Sequence, residues 1–581
     1  MRYKIGTLSV ALLLVACNSE SSVENTSQYW TDFVASRDSA SGLLDTSTTL
    51  PEERILQDYS FAGYKFSDTP LPAPAPTETD ALYQVFNVQD FGAIPNDSIS
   101  DKAAIKATIE AMKQSRTTNP AESKIAVLYF PEGTYIINNA ADDALIDPDN
   151  VDDIKNKQPI FVDLDNVVLK GDGVGKTVLK MDTYLQPENP SKKWTTPHMF
   201  QLGARSDTET TAAPIELSQT LEGGSSFSVQ VDSSAGFSVG DSVQISALIQ
   251  REPAINDAIS PYLIEYKASA PDTPVWANLV KGLDKREKHT IAAIDGNVLT
   301  FSTPVAHTLD QADAWQVKKV TSYENVGIEN MTISGNWHEE FIHHESALHD
   351  SGYSLLALNR VHDSWVRNIE LRDFNQGGVL WNTYNVTVDN VTLSGTPGHL
   401  AFTIMYGNYN LIENITDNSH AWHAPGVSKY SIANVYKNSQ YAADSSIDLH
   451  GEQSMHNLFD NMKGGWIYGR WGASSGNQPN HLKGLTFWNP VNTGVSANEF
   501  MFMKDDGIYG RVIMPYIIGM TGSEFSVAPQ AKYINTMIKN GTANYSEVPD
   551  ESLKQAHLES IGTAVEPASL FDAQLNLRHA K

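Results

Sequence analysis

An apolar-x-Asn/Gly-apolar motif returns along the second half of the sequence. It stands at Ile328-Glu329-Asn330-Met331, Val366-Arg367-Asn368-Ile369, Val388-Asp389-Asn390-Val391, Ile412-Glu413-Asn414-Ile415, Ile432-Ala433-Asn434-Val435, Phe459-Asp460-Asn461-Met462 and Leu482-Lys483-Gly484-Leu485. Successive Asn or Gly positions lie 38, 22, 24, 20, 27 and 23 residues apart. Apart from the first gap, which a loop over 335–352 accounts for, each step has room for three short strands and their turns. A unit of that size buries its apolar side only by stacking on the next, so the repeat predicts a solenoid with an asparagine column at one turn.

Ahead of the repeat, Asp101 is placed to cap a helix that carries Ile105, Ile109 and Met112 on one face, and Ala126–Phe130 and Thr134–Ile137 read as strands around the turn Pro131-Glu132-Gly133. The runs DFGAIPNDSISDKAAIKATIEAM and VLYFPEGTYII resemble the N-terminal signature of the pectate-lyase-like superfamily. That resemblance implies an all-β chain, a single-stranded right-handed parallel β-helix whose open end is capped by the N-terminal helix. The superfamily includes lyases, glycosidases, epimerases and phage tailspikes, so the resemblance speaks to fold more than to reaction. The stretch Val565–Leu575 is similar to the closing segment of secreted bacterial β-helix carbohydrate enzymes, which implies a C-terminal capping segment over about 523–581.

The remaining boundaries follow from local chemistry. A basic start and an apolar run lead to Leu14-Val15-Ala16-Cys17, which resembles a bacterial lipobox. It implies a signal peptide over 1–16, a lipid anchor on Cys17, and an exported lipoprotein held at the outer membrane on its periplasmic or cell-surface face. Residues 17–84 read as a tether, with Pro-Ala repeats over 70–76, although the aromatic stretch Asp58–Tyr64 is expected to pack on the body. The β-helix is expected over 85–581. Alternating segments such as Phe237–Ile245 and Ile291–Phe301, with an Asp295-Gly296 turn, predict a small β-rich insertion at about 205–320. Its Tyr262, Trp276, Lys281, Lys285, Arg286 and Lys288 suit a wall over a groove as well as they suit plain decoration.

The 581 residues hold 41 Lys and Arg against 69 Asp and Glu, a net charge of −28. Scattered basic residues on an acidic chain argue against nucleic acid, whereas a local basic cleft for an acidic glycan is compatible with it. With one cysteine there is no disulfide framework or multi-cysteine zinc site. The segment holding His338, Glu339, Glu340, His343, His344, Glu345, His349 and Asp350 matches no familiar metal spacing and reads as a solvated loop. The expectation is a monomer without a cofactor; calcium is conceivable, but the aspartate set of calcium-dependent pectate lyases is not recognisable.

The site is expected on the central coils. Nine residues after the repeat asparagines come Gly377, His399, His423 and Arg470; sixteen after come Tyr384, Tyr406, Tyr430 and His450. Stacked strands would set such columns about 4.8 Å apart, within reach of one sugar. Trp381, Trp422, Trp466 and Trp471 could serve as platforms for sugar rings. β-Elimination on a uronate needs a cation for the carboxylate, a base for the proton beside it and an acid for the leaving oxygen. Arg470 or Lys429 suits the first role, His423 or His399 the second, and Tyr430, Tyr406 or His450 the third. Hydrolysis would instead need two carboxyl groups, from Asp444, Asp448 and Glu452. The residues favour a polysaccharide lyase on an acidic glycan and leave a glycoside hydrolase, a sugar epimerase and a non-catalytic glycan-binding protein open.

Overall fold

The computed structural model describes residues 25–118, 124–262, 278–467, 472, 475–495, 499–503, 511–539 and 550–581. The chain folds as a parallel β-helix with three walls. The longest is a 16-stranded sheet that begins at Tyr83–Asn87 and Ile125–Phe130 and ends at His557–Glu559. The second, which carries the site, has seven parallel strands: β1 (Ile160–Val162), β2 (Phe200–Gly203), β3 (Ser354–Asn359), β4 (Gln376–Trp381), β5 (Leu400–Met405), β6 (Ala424–Ser428) and β7 (Ile447–Leu449). The third is a short sheet of Lys463–Trp466, Val491–Val495 and Thr521–Gly522. Ile328, Val366, Val388 and Ile412 share one register position in the long wall and are fully buried, as expected for parallel strands covered on both faces.

The Lys102–Thr118 helix closes the N-terminal end with Ile105, Ile109 and Met112 buried. Asp101 stands at its N-terminal cap, its carbonyl accepting from the Ile105 N–H, but its carboxylate accepts from the backbone N–H groups of Ile94 and Ile136, pinning the loop to the first coil.

The asparagine motif resolves into two ladders. Asn330, Asn368, Asn390, Asn414, Asn438 and Asn461 take left-handed backbone conformations with φ between 49° and 60° at one turn. Asparagine tolerates that region better than most residues. Asn434 belongs to a second, fully buried ladder: Asn410 donates to Asn434 and Asn434 to Asn457, both at 2.9 Å, and Asn457 meets His481 at 3.0 Å. The Ile432–Val435 copy of the motif is therefore four residues out of register with its neighbours. Tyr436, not Ile432, follows the apolar column, paired with Ile412 and Phe459, and Asn438 takes the asparagine position.

The insertion is a six-stranded antiparallel sheet between Ala212 and Lys319. It is fastened to the coils by its Leu283–Asp295 strand, where Lys288 and Asn408 exchange two hydrogen bonds at 2.8 and 2.9 Å. The tether expectation is corrected over 25–84. This segment runs back along the outside of the stack from the last coils to the first. Tyr29 packs on Tyr516, the Tyr59 hydroxyl reaches Thr486, Gly63 bonds Tyr409, Tyr64 packs on Trp365, and Tyr83–Asn87 joins the sheet. Even the Pro-Ala stretch is docked, with the Ala75 N–H on Glu329 and the Pro72 carbonyl on Arg367. The closing segment likewise lies along the flank: Leu570 and Phe571 join Tyr59, Val435, Leu458 and Trp488 in one apolar cluster.

Candidate active site

β5, β6 and β7 bring three histidines together at one edge of the seven-stranded wall. His399 and His423 stand immediately before β5 and β6, with ring centroids 5.3 Å apart. His450 follows β7, 5.6 Å from His423. His450 thus joins the histidines instead of the tyrosine column, because the register of Val427 with Leu449 sets it beside Ser428. Asp448 is buried and accepts from His450 Nδ1 at 3.0 Å. Gly472, at φ +80°, packs on this pair, and a Cβ there would collide with Asp448 Oδ1 and His450 Nδ1.

The 338–350 segment is not a solvated loop throughout. His349 and Asp350 are buried, and His343 stacks on Trp422 at 4.9 Å and lies 5.2 Å from His399. Asp350 holds the loop in place: its carboxylate takes His344 Nδ1 at 2.6 Å and the His344 backbone N–H at 2.9 Å, and its carbonyl takes His399 Nδ1 at 2.9 Å. His343, His399 and His423 each offer one nitrogen within 4.8 Å of the others. Spacing alone hid this grouping, since a long loop separates His343 from the coils it touches.

Beside the histidines, the turn after β5 and β6 carries Tyr406, Lys429 and Tyr430, all with left-handed backbones (φ 56° to 60°). Outliers of this kind cluster where function constrains the chain. The Tyr406 and Tyr430 rings are 5.7 Å apart, and Lys429 binds Glu452 at 3.2 Å. Arg286 of the insertion lies 5.1 Å from the Tyr430 ring centre. Arg286 also lines a cavity of about 220 Å³ shared with Lys288, Lys318, Arg360, Asp207 and Asn382.

Residues 85–195 match the family model described as Rhamnogalacturonase A/epimerase, pectate lyase-like, and the coils continue that architecture. The chain is a parallel β-helix, with its pectate-lyase-like match confined to residues 85–195. Residues 420–581 of this β-helix match a Domain of unknown function (DUF4955), which takes in His423 and His450. No curated protein matches the chain. Among solved structures it is similar to the tailspike protein gp49 from Pseudomonas phage LKA1 (12% identity, TM-score 0.35, 76% of this chain and 77% of that one). It is also similar to the mannuronan C-5 epimerase AlgE4 A-module of Azotobacter vinelandii (11%, 0.31, 82% and 96%) and to the Streptococcus pneumoniae adhesin PfbA (10%, 0.31, 83% and 99%). At these scores no statement about chemistry rests on them.

Several expected site residues fall elsewhere in the β-helix. Trp466 is buried among Phe487, Phe500 and Phe525 and is core, not a sugar platform. Tyr384 is buried under the insertion, its hydroxyl on Ser242 and Thr290. Trp381 packs on Tyr406 and Trp422 on His343, so both border the site. Asp444 meets His420 at 2.8 Å, and the three carboxylates Asp444, Asp448 and Glu452 each engage a different partner. Arg470, Trp471, Trp276 and Cys17 lie outside the described residues.

Electrostatics divide the histidines. Burial, then the neighbouring imidazoles, lowers His423 well below the usual range and His343 to about 4; burial also lowers His399. Each shift favours the neutral ring. Burial opposes charge on His450 as well, but the Asp448 carboxylate outweighs it and raises that pKa. Burial keeps Tyr430 protonated, with its pKa pushed up to about 12, and raises Tyr406 in the same way. Burial first, then Arg286 and Arg360, lowers Lys288 to about 7.

Proposed function

We propose that this chain is a polysaccharide lyase that cleaves an acidic glycan by β-elimination; the match of residues 85–195 to a pectate-lyase-like model supports the coarser reading of a carbohydrate-active or glycan-binding protein. The observation that carries this reading is the Asp448–His450 pair, close enough to Lys429 and Glu452 to feel their charges, with Lys429 on a turn whose Tyr430 meets Arg286 of the Arg286/Lys288/Arg360 cavity.

In this reading the cavity and Lys429 hold uronate carboxylates, which offsets the repulsion of a polyanion by a chain of net charge −28. Neutralising the carboxylate stabilises the carbanion that forms when the adjacent C–H loses its proton. His450 is the base. Asp448 accepts the Nδ1 proton and so fixes the tautomer whose Nε2 carries the lone pair, and 35% side-chain exposure leaves His450 reachable where His399 and His423 are 7% and 3% exposed. A tyrosine, Tyr430 or Tyr406, stays protonated at neutral pH and supplies the proton to the leaving oxygen. Hydrolysis is less well supported: it needs two carboxyl groups facing one bond, and here each carboxylate already serves a separate partner. Incubation with a panel of uronate-containing polysaccharides tests the reading. Growth of the ultraviolet absorbance of an unsaturated uronate is expected on at least one of them, and new reducing ends without that absorbance would sink it.

A further inference from the structure

The histidines buried beside the Asp448–His450 pair do something the elimination chemistry does not require of them. His343, His399 and His423 place one ring nitrogen each within 4.8 Å of the others. His399 Nδ1 must donate to the Asp350 carbonyl, because a carbonyl only accepts, so its Nε2 carries the lone pair; that nitrogen is buried without a partner. His423 Nδ1 is buried and unpartnered as well, 3.6 Å from Asp448, beyond hydrogen-bond range. Buried imidazole nitrogens without a partner cost free energy unless a further group satisfies them.

We infer that His343, His399 and His423 form a binding site for a divalent transition metal of the zinc class. The donor set suits it: three imidazoles leave a fourth position open, the arrangement of a reactive zinc site, whereas calcium and magnesium take oxygen ligands. A tetrahedral ion with bonds of 2.0–2.1 Å sets its ligand atoms about 3.3 Å apart. Closing to that distance from within 4.8 Å needs only a small inward movement of the three rings. The surrounding contacts are those that orient metal-binding histidines. The Asp350 carbonyl fixes the His399 tautomer, the Asp350 carboxylate anchors His344 and with it His343, and Phe341 and Trp422 stack on His399 and His343. The assignment goes beyond the lyase reading and does not depend on it.

The test uses the whole protein, stripped with a chelator and titrated with cobalt and then zinc ions. Cobalt should bind at one ion per chain with the intense visible absorption of a four-coordinate nitrogen site, and zinc should displace it. His343→Ala, a half-buried loop position whose loss leaves the coils intact, should weaken zinc binding by more than about 100-fold. Asp350→Asn, a positioning change, should weaken it by about 10–100-fold and be read beside a thermal melt that reports folding. His338→Ala, an exposed histidine of the same loop, should leave affinity unchanged. Binding no tighter than His338-type surface histidines provide, or binding that survives His343→Ala, would overturn the assignment. Because the readout is metal affinity, metal binding without unsaturated product would refute the lyase and spare the site, and the converse result would do the opposite.

Discussion

At the residue scale, the proposed elimination depends on His450 and its support. His450→Ala should lower the elimination rate by about 10²–10⁴-fold with little change in the melting temperature, measured as ultraviolet product formation. Asp448→Asn should cost a similar factor, since an amide no longer fixes the imidazole tautomer. Gly472→Ala makes the same point without removing a reacting group: its Cβ would push into Asp448 and His450, so activity should fall while the polymer still binds. Full activity in Gly472→Ala would detach the pair from the chemistry. Of these residues, His450 and Asp448 were visible in the sequence, but His450 was counted into the tyrosine column. The error comes from Asn434, which fits the repeat by pattern and belongs to a different ladder. Counting sixteen from it reaches His450 through a register that the coils do not share. Trp466 failed on different grounds: aromatic residues fill cores as readily as they line grooves, and sequence does not say which side of a coil a residue faces.

At the element scale, the buried ladder and the flank clamp carry the energetics. Asn434→Leu would leave Asn410 and Asn457 without their shared partner inside the coil and should cost about 2–5 kcal/mol, read from denaturant midpoints. Asp460 holds the C-terminal helix Leu570–His579 by accepting from Ser569 Oγ and the Phe571 N–H. Burial raises its pKa to about 7. The folded state therefore keeps a proton that the unfolded chain releases near pH 4. This contribution is complete below that pH and fades as the pH rises to about 7, by about 3–4 kcal/mol. Asp460→Asn keeps an acceptor for both donors and removes the titration, so the wild-type minus variant stability should fall between pH 4 and 7 and be flat above. The repeat and the N-terminal helix were legible because burial at a fixed period leaves a pattern. The clamp was not, since one carboxylate accepting two hydrogen bonds leaves none.

At the scale of the whole molecule, residues 25–84 strap the first coils to the last. Tyr59 is fully buried between the closing helix and the long wall, and Tyr59→Ala should lower stability by about 3–5 kcal/mol while leaving the remote site active. A strap was hidden by composition, because a Pro-Ala segment reads as a linker whether or not a surface such as that of Glu329 and Arg367 waits for its backbone. The acidic whole and the basic cavity are likewise one design: charge far from zero over the surface, with Arg286, Lys288 and Arg360 reversing it where an anionic sugar would sit. The most direct test of the central claim is mass spectrometry of oligosaccharides released from an acidic polysaccharide in heavy-oxygen water. Elimination predicts products one water lighter than hydrolytic fragments, with no solvent oxygen at the new ends. Incorporation of one heavy oxygen per cleaved bond would contradict it.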